Sequence, residues 1–309
     1  MEKLTTATLP DPARYRKLFP FSPRYMDNGG FRYHYIDEGA GDPVVMVHGN
    51  PTWSFYYRRL IQALSPRYRA LVPDHIGCGL SEKPAPHEYD YTLSRRVADF
   101  ERFLDHLGVR ENITLVLHDW GGMIGMAWAV RHPERIARIV LMNTAAFFPP
   151  HGKGLPARLR LIRNLKRIST PAVLGLNLFA ISALYMAVQK PLPSEVKSGL
   201  MAPYNSWKNR IATLKFVLDI PVRKGDPAFA VVQSVEDRLS ALSDIPVLIC
   251  WGAHDFVFDI DYFNEWRQRF PKARAHLFED AGHYVLEDAP ERIIGFVKHF
   301  MAQNRRENK

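Results

Sequence analysis

Residues 115–122 read LVLHDWGG, an apolar run that ends in a carboxylate, an indole and two glycines. The pattern predicts a strand that enters a sharp turn and leaves as a helix, with Asp119 at the bend where the G-x-S-x-G pattern puts a serine. The exchange changes the chemistry on offer. A serine alkoxide attacks acyl carbon, whereas a carboxylate can attack an sp³ carbon bearing a leaving group and form an alkyl ester with the enzyme. Water activated by an imidazole then cleaves that ester at the carboxyl carbon of the aspartate. Such a step calls for a base, an acid to orient it, and donors for the oxyanion. One departure is visible: the small residue usual two positions before the nucleophile is replaced by Leu117.

The base is expected at His283, which follows Gly282 in FEDAGHYVLEDAPERI, between the last predicted strand and the final helix. Nucleophile first and histidine last is the chain order this geometry requires. The acid has two conceivable homes. After the strand ending at Met142, NTAAFFPP offers no carboxylate; after PVLICWG, AHDFVFDID supplies Asp255 directly at the turn, with Asp259 and Asp261 as rivals. The stretch VHGNPTWS (47–54) carries a His48-Gly49 start whose backbone N–H groups should face the nucleophile, followed by Asn50. The Asn50 amide can donate to a departing anion, and the Trp120 indole N–H is a donor with no acceptor capacity. Two neutral donors beside a carboxylate form a cradle for a halide or a leaving carboxylate. The plainer reading of Trp120 is core filler.

These residues need elements to position them. Apolar or β-branched runs at 31–37, 43–49, 69–74, 112–119, 136–143, 245–252 and 273–280 predict strands, with helical patterns at 92–107 and 290–302. Strands alternating with helices predict an α/β architecture, a mostly parallel sheet flanked by helices. Between 145 and 240 the strand pattern vanishes, so the chain divides into a core first part (1–144), a helical cap (145–240) and a core second part (241–309). A cap inserted there would cover the carboxyl ends of the strands, where ligands bind in such sheets. From Ser169 to Gln189 the cap carries no charge, close to the minimum for spanning a bilayer. A single crossing would separate the last two strands from the rest of the sheet, so the stretch reads as an apolar lid helix. With Phe147, Phe148, Leu174, Leu176, Leu178, Phe179 and Tyr185 it would line room for long alkyl chains. Each buried methylene contributes on the order of 0.8 kcal/mol. The preceding RLRLIRNLKR (158–167) suits an anionic lipid surface.

Bulk numbers narrow the classes. A chain of 309 residues, 47% apolar and 24% charged, can bury a sizeable core. Cys78 and Cys250 form no disulfide framework or metal spacing, which points to a reduced, cytoplasmic setting. Cys78, between two glycines, reads as a turn filler, and the N-terminal stretch has no apolar core for a secretory signal. The net charge of +9 comes without any nucleic-acid motif, so no nucleic-acid partner is expected; a solvated basic surface or attraction to an anionic membrane accounts for it.

Taken in order, HGNPTWSFYYRRL, VPDHIGCGLSEKP, HDWGGMIGMAWA, WGAHD and DAGHYVLED resemble the haloalkane dehalogenase family of the α/β-hydrolase superfamily, over essentially the whole chain. The resemblance implies an α/β-hydrolase fold, Asp119 as nucleophile, His283 as base, Asp255 as acid, and Asn50 and Trp120 as halide-stabilising residues. An acid after the later strand with an Asn in the oxyanion loop most resembles the β-lactone decarboxylases of bacterial long-chain olefin biosynthesis. That branch implies a cis-3-alkyl-4-alkyl-oxetan-2-one substrate, released as carbon dioxide and a cis-alkene. It also implies a thiolase, a ketoreductase and a β-lactone synthetase as partners, in an assembly peripheral to the inner face of the membrane. Attack at the sp³ C–O carbon or at the lactone carbonyl would each serve, and neither needs a metal or an organic cofactor. Haloalkane dehalogenase is the alternative function. Epoxide hydrolase is a second, with Tyr185 and Tyr204 as the lid tyrosines, although Asn50 has no evident epoxide role.

Overall fold

Along the central strands, successive side chains feed two separate cores. Val45, Val47, Leu115, Leu117, Ile139, Leu141 and Ile249 join one, while Val44, Met46, Val116, Val140, Met142, Leu248 and Cys250 join the other. That is the period of two expected for strands buried on both faces. The structure, a computed structural model, describes Ala13 and residues 15–304; the start of the N-terminal stretch read for a signal lies outside the described residues. Eight strands form one sheet: β1 (Arg24–Asp27), β2 (Arg32–Glu38), β3 (Pro43–Val47), β4 (Arg69–Pro73), β5 (Ile113–Asp119), β6 (Ile136–Thr144), β7 (Val247–Gly252) and β8 (Arg274–Phe278). Their order is β1-β2-β4-β3-β5-β6-β7-β8; β2 runs antiparallel to both neighbours and every other pair from β4 to β8 is parallel. The sequence pattern misses β1, a four-residue edge strand in which only Met26 is buried, too short to alternate.

The helices are α1 (Arg58–Leu64), α2 (Leu93–His106), α3 (Trp120–Ala129), α4 (Ala157–Asn164), α5 (Lys166–Thr170), α6 (Leu178–Met186), α7 (Ser194–Met201), α8 (Ile211–Asp219), α9 (Phe229–Arg238), α10 (Ile260–Arg269), α11 (Val285–Asp288) and α12 (Pro290–Gln303). On one face α2, α3, α9 and α10 cover the sheet; α1 and α12 cover the other. No strand occurs between Thr144 and Val247. The insertion expected over 145–240 does two jobs. Helices α4 to α8 form the cap, α8 reaching the sheet's core through Ala212 and Phe216, and α9 packs on α3 and sends Val232 and Val235 into that same core.

The uncharged stretch 169–189 is not one helix. It consists of the end of α5, a π-helical turn (Pro171–Gly175) and α6, and the axis bends by 74° between Gly175 and Leu178. Asn177 sits at the break in the left-handed region (φ 55°) and donates its amide to the Tyr204 carbonyl. Asparagine tolerates this conformation better than most residues with a side chain, so one helix ends at the corner and the next begins. Among the described residues no single helix is long and apolar enough to cross a membrane.

Candidate active site

At the end of β5 the backbone of Asp119 is held at φ 50° and ψ −128°, a conformation an aspartate adopts only when its surroundings impose it. Glycines make the bend possible. A Cβ on Gly121 would lie 1.9 Å from the Val47 carbonyl, and one on Gly122 would lie 1.8 Å from Thr144 Oγ1. The missing small residue before the bend is also accounted for. Leu117 fits because Gly125 on α3 faces it, and a Cβ there would meet Leu117 Cδ2 at 2.4 Å.

The loop after β3 closes on the carboxylate. Asn50 N–H donates to Asp119 Oδ1 at 2.6 Å, and the Trp120 N–H also donates to this carboxylate. A side chain at position 49 would strike Oδ1, so Gly49 is what lets the loop approach. The other oxygen, Oδ2, is 3.7 Å from His283 Nε2. His283 Nδ1 lies 2.7 Å from Asp255 Oδ2. A carboxylate there accepts the Nδ1 proton and leaves the Nε2 lone pair toward Asp119. Asp255 is itself fixed, Oδ1 accepting the Val257 and Phe258 N–H groups at 2.7 and 3.1 Å. The rivals do not reach the imidazole: Asp259 and Asp261 both pair with Lys153 at the surface.

Two positioning residues escaped the sequence reading. Asn143 stands just beyond Met142, where a carboxylate was sought and not found. Its amide donates to Asp255 Oδ2 at 3.0 Å and to the Gly252 carbonyl at 3.1 Å, and its oxygen accepts the Gly252 N–H at 2.8 Å. His118 packs its ring 4.6 Å from that of His283 and brings Nε2 to 2.9 Å from the His283 carbonyl. The signal for each was only its place beside a strand terminus.

Burial drives the Asp119 carboxyl upward, and His283 with the Trp120 and Asn50 N–H groups pulls it only partly back. Burial alone would lower His283, but the Asp255 charge and hydrogen bond, with Asp119 beyond, outweigh it and raise the imidazole. Burial holds His118 well below the usual histidine range and pushes the Cys78 thiol up to about 12. Cys78 is fully buried, in keeping with its turn position.

Asn50, Asp119, Trp120 and His283 open onto one cavity of about 670 Å³. Asn50 gives one amide N–H to the Thr213 carbonyl at 3.1 Å, and a primary amide has a second. Trp120 is wedged against Phe216, ring centroids 5.2 Å apart. Phe147, Phe148, Leu178 and Phe179 line the cavity as expected. Leu174 and Tyr185 do not, which corrects the expected lining, as does Leu176. The π-helical turn puts Val173 on the cavity and packs Leu174 against Leu214. Beyond the bend, Tyr185 faces solvent with Lys197 over its ring, and Leu176 is exposed. Tyr204 is buried with its hydroxyl on the Thr52 carbonyl, so neither of the two lid tyrosines reaches the cavity. The lining that the sequence did not reveal comes from Leu159, Ile162, Met186, Phe256, Phe258 and Tyr262.

Comparisons with known proteins agree with this fold. The family described as alpha/beta hydrolase fold matches residues 42–290. A cis-3-alkyl-4-alkyloxetan-2-one decarboxylase from Shewanella oneidensis is 50% identical over 93% of this chain and 90% of its own. A decarboxylase of the same name from Xanthomonas campestris pv. campestris is 41% identical over 93% of this chain and 98% of its own. Among solved structures, the haloalkane dehalogenase DatA from Agrobacterium tumefaciens superposes with a TM-score of 0.79 at 25% identity, covering 92% of this chain and 97% of that one.

Proposed function

Because the chain belongs to the α/β-hydrolase family, and within it to the cis-3-alkyl-4-alkyloxetan-2-one decarboxylases, we propose that it converts β-lactones with two alkyl chains to cis-alkenes and carbon dioxide. The observation that carries this reading is the pinned carboxylate. Oδ1 of Asp119 is held by backbone N–H, Oδ2 is left for carbon, and two neutral donors share the cavity. In this mechanism Oδ2 attacks the sp³ ring carbon that bears the lactone oxygen. The ring C–O bond breaks, and the freed carboxylate is received by the Asn50 amide and the Trp120 indole. The alkyl ester then collapses. Carbon dioxide leaves, the electron pair of its C–C bond forms the alkene, and the C–O bond to Asp119 opens.

Atoms and charge balance without water and without a net proton. Inversion at the attacked carbon followed by anti elimination amounts to a syn loss, so cis ring substituents give a cis-alkene. His283 moves no proton in this cycle and, held by Asp255, only packs beside Asp119. An alkyl halide would give an ester with no carboxylate to lose, and there the neutral Nε2 is positioned to activate water. Hydrolysis of alkyl halides is accordingly the second reading, favoured by the same pair of donors.

The apolar cavity suits long chains. On this reading the enzyme works beside a thiolase, a ketoreductase and a β-lactone synthetase, in the cytoplasm and against the inner face of the membrane. The test is turnover of a long-chain cis-β-lactone and of 1-bromobutane, side by side in ¹⁸O-water. Alkene with unlabelled Asp119 is expected from the lactone; bromide release without alkene would overturn the proposal.

A further inference from the structure

From Ala145 to Ser194 the chain carries seven Lys or Arg and no Asp or Glu. Three of the seven find carboxylates elsewhere: Lys153 on Asp259 and Asp261, Arg163 on Asp226, and Lys190 on Asp280. Arg158, Arg160, Lys166 and Arg167 pair with no carboxylate among the described residues, and all four are exposed. They alternate with apolar side chains that face water. Leu161 is 58% and Ile168 is 67% exposed, with Leu165 and Leu178 close behind, yet all four line the cavity. A residue that is both exposed and part of the lining marks the mouth. Ile181 and Tyr185, three and seven residues beyond Leu178 on α6, continue the exposed apolar stripe away from it. The cavity of about 670 Å³ thus opens through a greasy rim set among uncompensated cations.

We propose that this face docks on an anionic phospholipid bilayer, mouth first, so that a two-chain substrate passes from the bilayer into the cavity without crossing water. The unpaired cations match anionic headgroups, and the apolar rim matches the headgroup–acyl boundary. The 74° bend forbids a straight crossing by α5 and α6 and leaves two short apolar pieces to lie at the surface. Uptake of lipid substrate at this mouth rests on the β-lactone reading; binding to the bilayer does not.

The test is co-sedimentation of the full chain with vesicles of phosphatidylcholine containing phosphatidylglycerol, beside phosphatidylcholine alone. Binding is expected only with the anionic lipid and should weaken as salt is raised. Arg160→Gln/Lys166→Gln/Arg167→Gln should weaken it on the order of 100-fold. Ile181→Asp should weaken it too, and both variants should unfold at the parent temperature. Failure of the parent to bind anionic vesicles, or binding indifferent to both variants, would overturn the proposal. Self-association abolished by Ile181→Asp, without vesicle binding, would overturn it in favour of a protein interface. Absence of lactone turnover would leave the sedimentation result standing and sink only the uptake step.

Discussion

The floor and the roof of the cavity are built on different principles. On the floor, set on the ends of β3, β5, β6 and β7, each reactive group is fixed by at least one hydrogen bond. Asp119 is held from Asn50, His283 by Asp255, and Asp255 by Val257, Phe258 and Asn143. The roof, α4 to α6, presents Leu159, Ile162, Phe179 and Met186, which touch a ligand only through surface. Hydrogen bonds have direction and dispersion does not. Bond-making is therefore confined to the strand ends, and recognition to volume.

The sharpest way to break this contrast is Asp119→Ala. Loss of all turnover, by about 10⁴-fold or more, is expected from lactone and halide assays alike, and surviving activity would move the chemistry off the floor. Next comes Asp255→Asn, which keeps the shape but unsettles the imidazole tautomer; bromide release from 1-bromobutane should fall by about 10⁴-fold. Intact-mass analysis of His283→Ala after bromobutane should find a butyl ester on Asp119. Because two carboxylates raise His283 above its ordinary value, and hydrolysis needs it neutral, bromide release should climb as pH rises through that elevated pKa. Lactone decarboxylation, which borrows no proton, should stay level across the same window. Asn50→Ala or Trp120→Phe should each cost about 10²–10³-fold in kcat, measured by steady-state alkene release. On the roof, Ile162→Ala or Phe179→Ala should leave kcat alone and raise KM for long chains. Dropping one methylene from the substrate should weaken binding about four-fold.

What could be read from sequence follows the same division. The elbow with Asp119 and Trp120, Asn50 in the loop after β3, the late His283 and Asp255 at the turn after β7 are local patterns, and the structure brings those five residues together. Asp255 could be preferred to Asp259 and Asp261 because it comes first after the strand. Asn143 could not, since its partner Gly252 is 109 residues away and nothing local marks an amide as a clasp. The cap was least legible. Composition gave its apolar character, but one left-handed residue, Asn177, turned Tyr185 outward and took it off the lining. The core-facing role of α9 was hidden for a related reason. Amphipathicity says that a helix buries one side without saying against what.

Asn143 and Gly252 tie two strands together. Both residues lie at the carboxyl ends of neighbouring strands, Asn143 where the roof departs from β6 and Gly252 where β7 runs into the turn that carries Asp255, and the amide bonds to both the N–H and the carbonyl of its partner. The strand ends that hold the reacting groups are thus latched to each other beneath whatever is inserted after β6. Since the entropy of closing a loop grows only slowly with its length, this scaffold should tolerate transplanted roofs of other sizes, with the reacting groups undisturbed and the clientele exchanged.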